Sequence, residues 1–133
     1  EEVQKNKKPI LGICLGLQLF FEKSEESNNV KGLGLIDGSV KKLSPSNLYS
    51  IPRIGWASSL ARKNFLALEK DQSFDFYYIH SYFVKPIDPN IICVTTEEDI
   101  PSCVKLENIY GCQFHPEKSH TIGLNILKQF SIS

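Results

Sequence analysis

At 133 residues the chain has the length of one domain, residues 1–133, with room for a sizeable core. Its 15 basic and 15 acidic side chains balance, so the charge suggests neither a nucleic acid nor a membrane surface as partner, and no apolar run reads as a bilayer span or a signal peptide. The four cysteines, Cys14, Cys93, Cys103 and Cys112, show no C-x-x-C pair and no disulfide-framework spacing, which fits reduced thiols in a cytoplasmic protein.

The sequence opens at Glu1 and holds no methionine, which points to a processed, truncated or partial chain. Residues 1–8 are charged and read as the end of a helix running into a linker that Pro9 closes. Residues 10–13 form a short apolar run, a fully buried strand. It passes into Gly12-Ile13-Cys14-Leu15-Gly16, the G-x-nucleophile-x-G form of a strand-to-helix elbow, and residues 15–23 then keep helical periodicity. Residues 24–31 are a polar loop, and 32–43 read as short strands joined by a hairpin-like turn at Asp37-Gly38. After a further loop at 44–47, residues 51–60 are extended, with Gly55 allowing a close backbone approach. The aromatic run 74–84 is one strong strand, and 91–96, 103–106 and 108–114 are three more. Residues 119–130 close the chain as a helix with Ile122, Ile126, Leu127 and Phe130 on one face. The sum is α/β: a strand–elbow–helix unit, a mainly β middle and a final strand–helix pair.

Such an elbow presents a nucleophile at the tip of a strained turn, and its glycines remove Cβ atoms that would collide with strand and helix. It also puts Cys14 at a helix N-terminus, where unpaired amides and the dipole favour thiolate over thiol and where the Leu15 N–H can meet a developing oxyanion. A buried cysteine in a tight turn shares this pattern, so a base must be found. His115 stands in Gln113-Phe114-His115-Pro116-Glu117-Lys118. Pro116 biases it towards an extended backbone, which puts Glu117, two residues on, on the same side to orient the imidazole. The alternative is an ordinary surface pair beyond a strand end. His80, in His80-Ser81-Tyr82, competes for the role of base, and Glu117 tips the choice to His115. Ser81 and Tyr82 offer polar groups to a small ligand. Cys112 and His115 face opposite sides of a strand without further ligands, so no metal site is expected.

The elbow followed by Leu17-Gln18, the His80-Ser81-Tyr82 triplet and Gln113 to Ser119 together resemble a class I (triad) glutamine amidotransferase. The triplet, Ile54-Gly55-Trp56 and the Glu117-Lys118-Ser119 ending are similar to one branch, the glutaminase subunits of imidazole glycerol phosphate synthase. The resemblance implies a flavodoxin-like three-layer α/β sandwich that hydrolyses glutamine to glutamate and ammonia. Cys14 would be the nucleophile, His115 the general base and acid, and Glu117 its orienter. Gly16, Gln18, His80, Ser81 and Tyr82 would hold glutamine. Lys118 and Trp56 would face a (β/α)8 cyclase in a heterodimer of histidine biosynthesis, and no cofactor is implied.

Members of that family carry further strands before the elbow, with a P-G-x-G loop that completes the oxyanion hole. This sequence starts just before the elbow strand and lacks them, and one lost oxyanion donor alone costs on the order of 3 kcal/mol. Arg53 and Ala57 stand where the histidine-pathway subunits usually have histidine and asparagine. Ser119-His120 is similar to paralogues that feed a surface-sugar amidotransferase. Two alternatives therefore accompany the cyclase reading: a glutaminase for such a partner, and a non-catalytic remnant acting as a binding module.

Overall fold

The computed structural model describes residues 1–27, 30–45 and 50–133. Through them run α1 (Glu2–Lys5), β1 (Ile10–Ile13), α2 (Leu15–Leu19), β2 (Phe21–Ser24), β3 (Ile36–Lys42), β4 (Arg53–Ala61), β5 (Ser73–His80), β6 (Tyr82–Pro86), β7 (Ile92–Thr96), β8 (Pro101–Leu106), β9 (Ile109–Cys112) and α3 (His120–Ser131). A large sheet has the order β1-β9-β8-β7-β4-β5, in which β1 and β9 pair in parallel and the other neighbours antiparallel. A small sheet, β2-β3-β6, lies apart from it.

Side-chain alternation splits the apolar residues of the large sheet between two cores. Cys103, Cys112, Val94, Phe76 and Tyr78 pack with Phe114 and with Ile126 of α3 on one side. Val104 and Ile109 face the other way and meet Leu17, Phe20 and Phe21, together with Ile36, Val40 and Val84 of the small sheet. Burial of this kind is worth roughly 25 cal/mol per Å² of apolar surface. The three cysteines other than Cys14 serve these cores as small buried apolar groups.

The α/β class and the order of the main strands follow the sequence pattern, with five differences. Strand β1 is only partly buried, Gly12 alone being fully so, because it lies at the edge of the large sheet beside β9. The elbow helix stops at Leu19, not at residue 23, because Phe20 and Phe21 are both buried and Phe21 pairs with Ile36 in the small sheet. Asp37-Gly38 is no turn: β3 runs through it, and a Cβ on Gly38 would lie 2.4 Å from the Lys85 carbonyl oxygen. At Gly55 a Cβ would meet nothing, so the residue is needed for its φ of +127° and not for a close approach. The aromatic run is cut at Ser81 into β5 and β6, which belong to different sheets. Parts of the polar loops at 24–31 and 44–47 lie outside the described residues.

One packing contact ties the closing helix to the region around His115. A Cβ on Gly123 would stand 1.9 Å from the carbonyl oxygen of Pro116, a backbone atom that cannot swing away. Alanine would ordinarily stabilise a helix interior by about 1 kcal/mol relative to glycine. Gly123→Ala is nevertheless expected to destabilise by about 1–3 kcal/mol through overpacking. Urea unfolding checks this against Leu124→Ala, a change at a half-exposed neighbour on the same helix, where the effect should be small.

Candidate active site

The parallel pair of β1 and β9 brings two distant segments to the same end of the large sheet. Its register sets Ile13 opposite Cys112, and the Cys14 N–H adds one further bond to the Cys112 carbonyl at 2.8 Å. There the backbone of Cys14 turns sharply, with φ 53° and ψ −106°, and α2 begins. A non-glycine residue in that conformation is strained by on the order of 1–3 kcal/mol. The elbow is crowded at Gly12, where a Cβ would come within 2.7 Å of the Phe20 ring and 2.8 Å of the Gly16 carbonyl carbon. At Gly16 a Cβ would meet nothing, so the expected crowding holds for one glycine of the two.

His115 is clamped from both ends. Its N–H donates to the Tyr77 carbonyl at 2.9 Å, and its own carbonyl accepts from Ser119 Oγ at 2.7 Å. Ser119 is fully buried, and its Oγ also accepts the Tyr77 N–H at 3.1 Å, so one hydroxyl fastens the turn after β9 to β5. The sequence pattern assigns Ser119 no such part; a serine four residues after the histidine is the one signal that could have found it. Glu117 reaches His115 as expected, its Oε1 2.7 Å from Nδ1, although residues Pro116–Lys118 form a 3-10 turn and not an extended segment. A carboxylate can only accept, so Nδ1 carries the proton and Nε2 is the nitrogen left for chemistry.

Cys14, Leu15, Gln18, His80, Ser81 and Tyr82 line one cleft of about 210 Å³, joined by Ile79 and by Glu26. Gly16 is not in its wall. Glu26 was not foreseen; it sits in the polar segment after β2, where a lone carboxylate gives no sequence signal. A larger hollow of about 580 Å³ on the small sheet, between Lys23, Lys41 and Lys85, offers neither thiol nor imidazole.

The expected bias of Cys14 towards thiolate is not what the structure gives. Burial pushes the thiol up; the Leu15 N–H and the Gln113 amide pull the other way, and the carboxylates of Glu117 and Glu26 add to the upward push. Helix α2 is five residues long, too short for its dipole to outweigh desolvation. His80 likewise differs from a base in waiting. Its Nδ1 lies 2.8 Å from the Tyr82 carbonyl, its Nε2 is buried without a partner among the described residues, and burial, with the nearby Arg53 charge, lowers it to about 4. Trp56 and Lys118 come together on one surface. The exposed Trp56 ring stacks on His120 at 4.7 Å and meets Tyr77 edge-on, with Lys118 Nζ 6.0 Å above Tyr77.

Comparison with known proteins places the chain by family and fold. The chain is 45% identical to the imidazole glycerol phosphate synthase subunit HisH of Bacillus cereus over 136 residues, covering 98% of this chain and 62% of that protein. It is 43% identical over 132 residues to the HisH subunit of Listeria monocytogenes, covering 98% of this chain and 63% of that one. The chain thus spans less than two thirds of the length of these relatives. Among solved structures, a glutamine amidotransferase superposes with a TM-score of 0.70 at 15% identity, over 98% of this chain and 65% of the other. A glutamine amidotransferase from Thermotoga maritima gives 0.61 at 19% identity, over 98% and 50%. At those identities the likeness is one of fold, an α/β class I glutamine amidotransferase fold with mixed sheets and few helices. The glutamine amidotransferase class-I family matches residues 1–133, and the chain belongs to it.

Proposed function

We propose that this chain carries the glutaminase chemistry of a class I glutamine amidotransferase and delivers ammonia to a synthase partner. The observation that carries the reading is the His115–Glu117 pair, 2.7 Å apart, fixed at the sheet end where the strained Cys14 elbow opens onto a cleft. Because burial favours the neutral thiol, deprotonation belongs to the reaction itself: His115 Nε2 takes the proton as Sγ attacks the side-chain carbonyl of glutamine. The Leu15 N–H, which favours negative charge on Sγ, is offered to the oxyanion that forms. His115 then returns the proton to the departing ammonia, and water, activated by the same imidazole, cleaves the thioester to glutamate.

The cleft suits an amino acid. The Glu26 carboxylate faces an α-ammonium, and the backbone of Ser81 and Tyr82, with Gln18, supplies polar contacts. No metal or organic cofactor takes part in this scheme. The relatives' name, a subunit of imidazole glycerol phosphate synthase, supports a partner subunit; the proposed partner is a (β/α)8 cyclase, in a cytoplasmic heterodimer of histidine biosynthesis, as the sequence resemblance implies. Trp56 and Lys118 are its proposed contacts. The Ser119-His120 pair that is similar to the sugar-amidotransferase paralogues has local explanations here, the clamp on His115 and the stack on Trp56, and so does not favour that partner.

A diazoketone analogue of glutamine tests the reading on the full-length protein with its partner present. Labelling at Cys14, with loss of glutamate release, is expected. Absence of both labelling and glutamate release in that complex overturns it in favour of the non-catalytic binding module.

A further inference from the structure

A chain of hydrogen bonds runs from the β5–β6 corner to the nucleophile, and a residue outside the triad forms its last link. His80 Nδ1 and Gln18 Nε2 both converge on the Tyr82 carbonyl oxygen, at 2.8 and 3.2 Å. Gln18 Nε2 also meets Gln113 Oε1 at 3.3 Å, and Gln113 Nε2 meets Cys14 Sγ at 3.6 Å. Carboxamide ends are easily interchanged, but here one backbone atom fixes them all. A carbonyl oxygen only accepts, so the Gln18 atom facing Tyr82 is its nitrogen. The same nitrogen faces Gln113, whose oxygen must therefore point to Gln18 and whose nitrogen must point to the sulfur.

We infer that Gln113 is a positioning residue for Cys14, holding Sγ in its attacking orientation with an N–H aimed at the thiolate. This rests on the glutaminase reading above. Gln113 is fully buried and forms no part of the cleft wall, so it acts on the nucleophile and not on the substrate. The surroundings of the sulfur make such a donor consequential. The carboxylates of Glu117 and Glu26 both oppose a negative sulfur, and burial opposes it more. Two donors stand against these: the Leu15 N–H, which belongs to the elbow, and the Gln113 amide, which Gln18 holds in place.

The test compares iodoacetamide alkylation of Cys14 against pH in the full-length protein, with Gln113→Leu and Gln113→Glu. Leucine removes the donor; glutamate keeps the shape and the acceptor for Gln18 but turns an oxygen to the sulfur. Alkylation at neutral pH should slow about tenfold in Gln113→Leu, the effect of losing one hydrogen bond to a charged acceptor, and further in Gln113→Glu. The midpoint of the pH profile should move upward in both. In the complex with its partner, kcat for glutamine should fall while KM stays, a split that a general loosening of the fold would not produce. Should either variant fail to fold, the unaltered protein decides. The side-chain amide resonances of Gln113 are expected to shift as Cys14 titrates. Resonances unmoved through that titration, or wild-type alkylation profiles in folded variants, overturn the inference. Absent glutamine hydrolysis in the unaltered complex would instead overturn the glutaminase reading, leaving the thiol titration to report separately on Gln113.

Discussion

Replacing Cys14 by alanine is expected to lower glutamine hydrolysis by a factor on the order of 10⁴–10⁶, because the covalent route closes with the sulfur. Replacing it by glycine should have the same effect on activity and the opposite effect on the strain. At φ 53° and ψ −106° an L side chain carries a penalty that glycine does not. In an ordinary position glycine is the less stable choice by about 0.5–1 kcal/mol, for entropic reasons. Here the order should reverse, with Cys14→Gly more stable than Cys14→Ala by about 1 kcal/mol. Urea unfolding of the two variants, beside a glutamate-release assay with the partner, checks both halves. Alanine proving more stable than glycine would show that the elbow stores no strain. Residual hydrolysis above about a hundredth of the original rate would remove Cys14 from the role of nucleophile.

What the sequence revealed, and what it hid, divides along a physical line. The elbow was legible because a strand running into a glycine-flanked turn has few ways to fold, and the His115–Glu117 pair because two residues fixed by a proline stay neighbours. Features that depend on distant segments were not legible. The elbow helix looked longer because Leu17, Gln18 and Phe20–Phe21 continue a helical pattern, yet the pull of the small sheet on Phe21 ends it at Leu19. The run 74–84 looked like one strand because nothing in its composition marks Ser81 as a crossing between sheets. The ionisation of Cys14 was misjudged for a related reason. A dipole can be inferred from a motif, whereas the burial that outweighs it arises where distant segments close around the sulfur, as Ile79, 65 residues away in sequence, does with its carbonyl. Glu26 carried no signal, and Ser119, although part of the motif, showed no clamping role, because a carboxylate in a polar loop and a serine before a helix have many ordinary explanations.

The protein is also expected to lose about 3 kcal/mol of stability as the pH falls from 6.5 to 4, and His80 is the cause. Its Nδ1–H is spent on the Tyr82 carbonyl, so an added proton would have to sit on Nε2, which is buried and has no acceptor among the described residues. Burial is the main reason that the folded imidazole titrates at about 4 against its ordinary 6.5; the Arg53 guanidinium adds to it, while the Tyr82 carbonyl and Glu98 work the other way. The sign follows from where the proton goes. Below 6.5 the unfolded chain takes up a proton that the folded one refuses, which favours unfolding by about 1.4 kcal/mol per pH unit until the folded imidazole also protonates near 4. Glu98 acts in a lower window. Burial pushes its carboxyl up, but the Thr96 hydroxyl, its own N–H and the Arg53 guanidinium together hold it below the usual range. Its contribution is therefore present above about 4.5 and disappears as the pH falls through the folded value. Urea unfolding at pH 7.5, 5.5 and 4 should show the loss in the unaltered protein and a nearly flat profile in His80→Gln. Parallel losses in the two proteins would clear His80 and leave the acid sensitivity to the carboxylates. Because His80 stands in the cleft wall, a charge buried at its Nε2 should disorder that wall before the sheet opens. Glutamine hydrolysis is then expected to fail at a higher pH than global unfolding does.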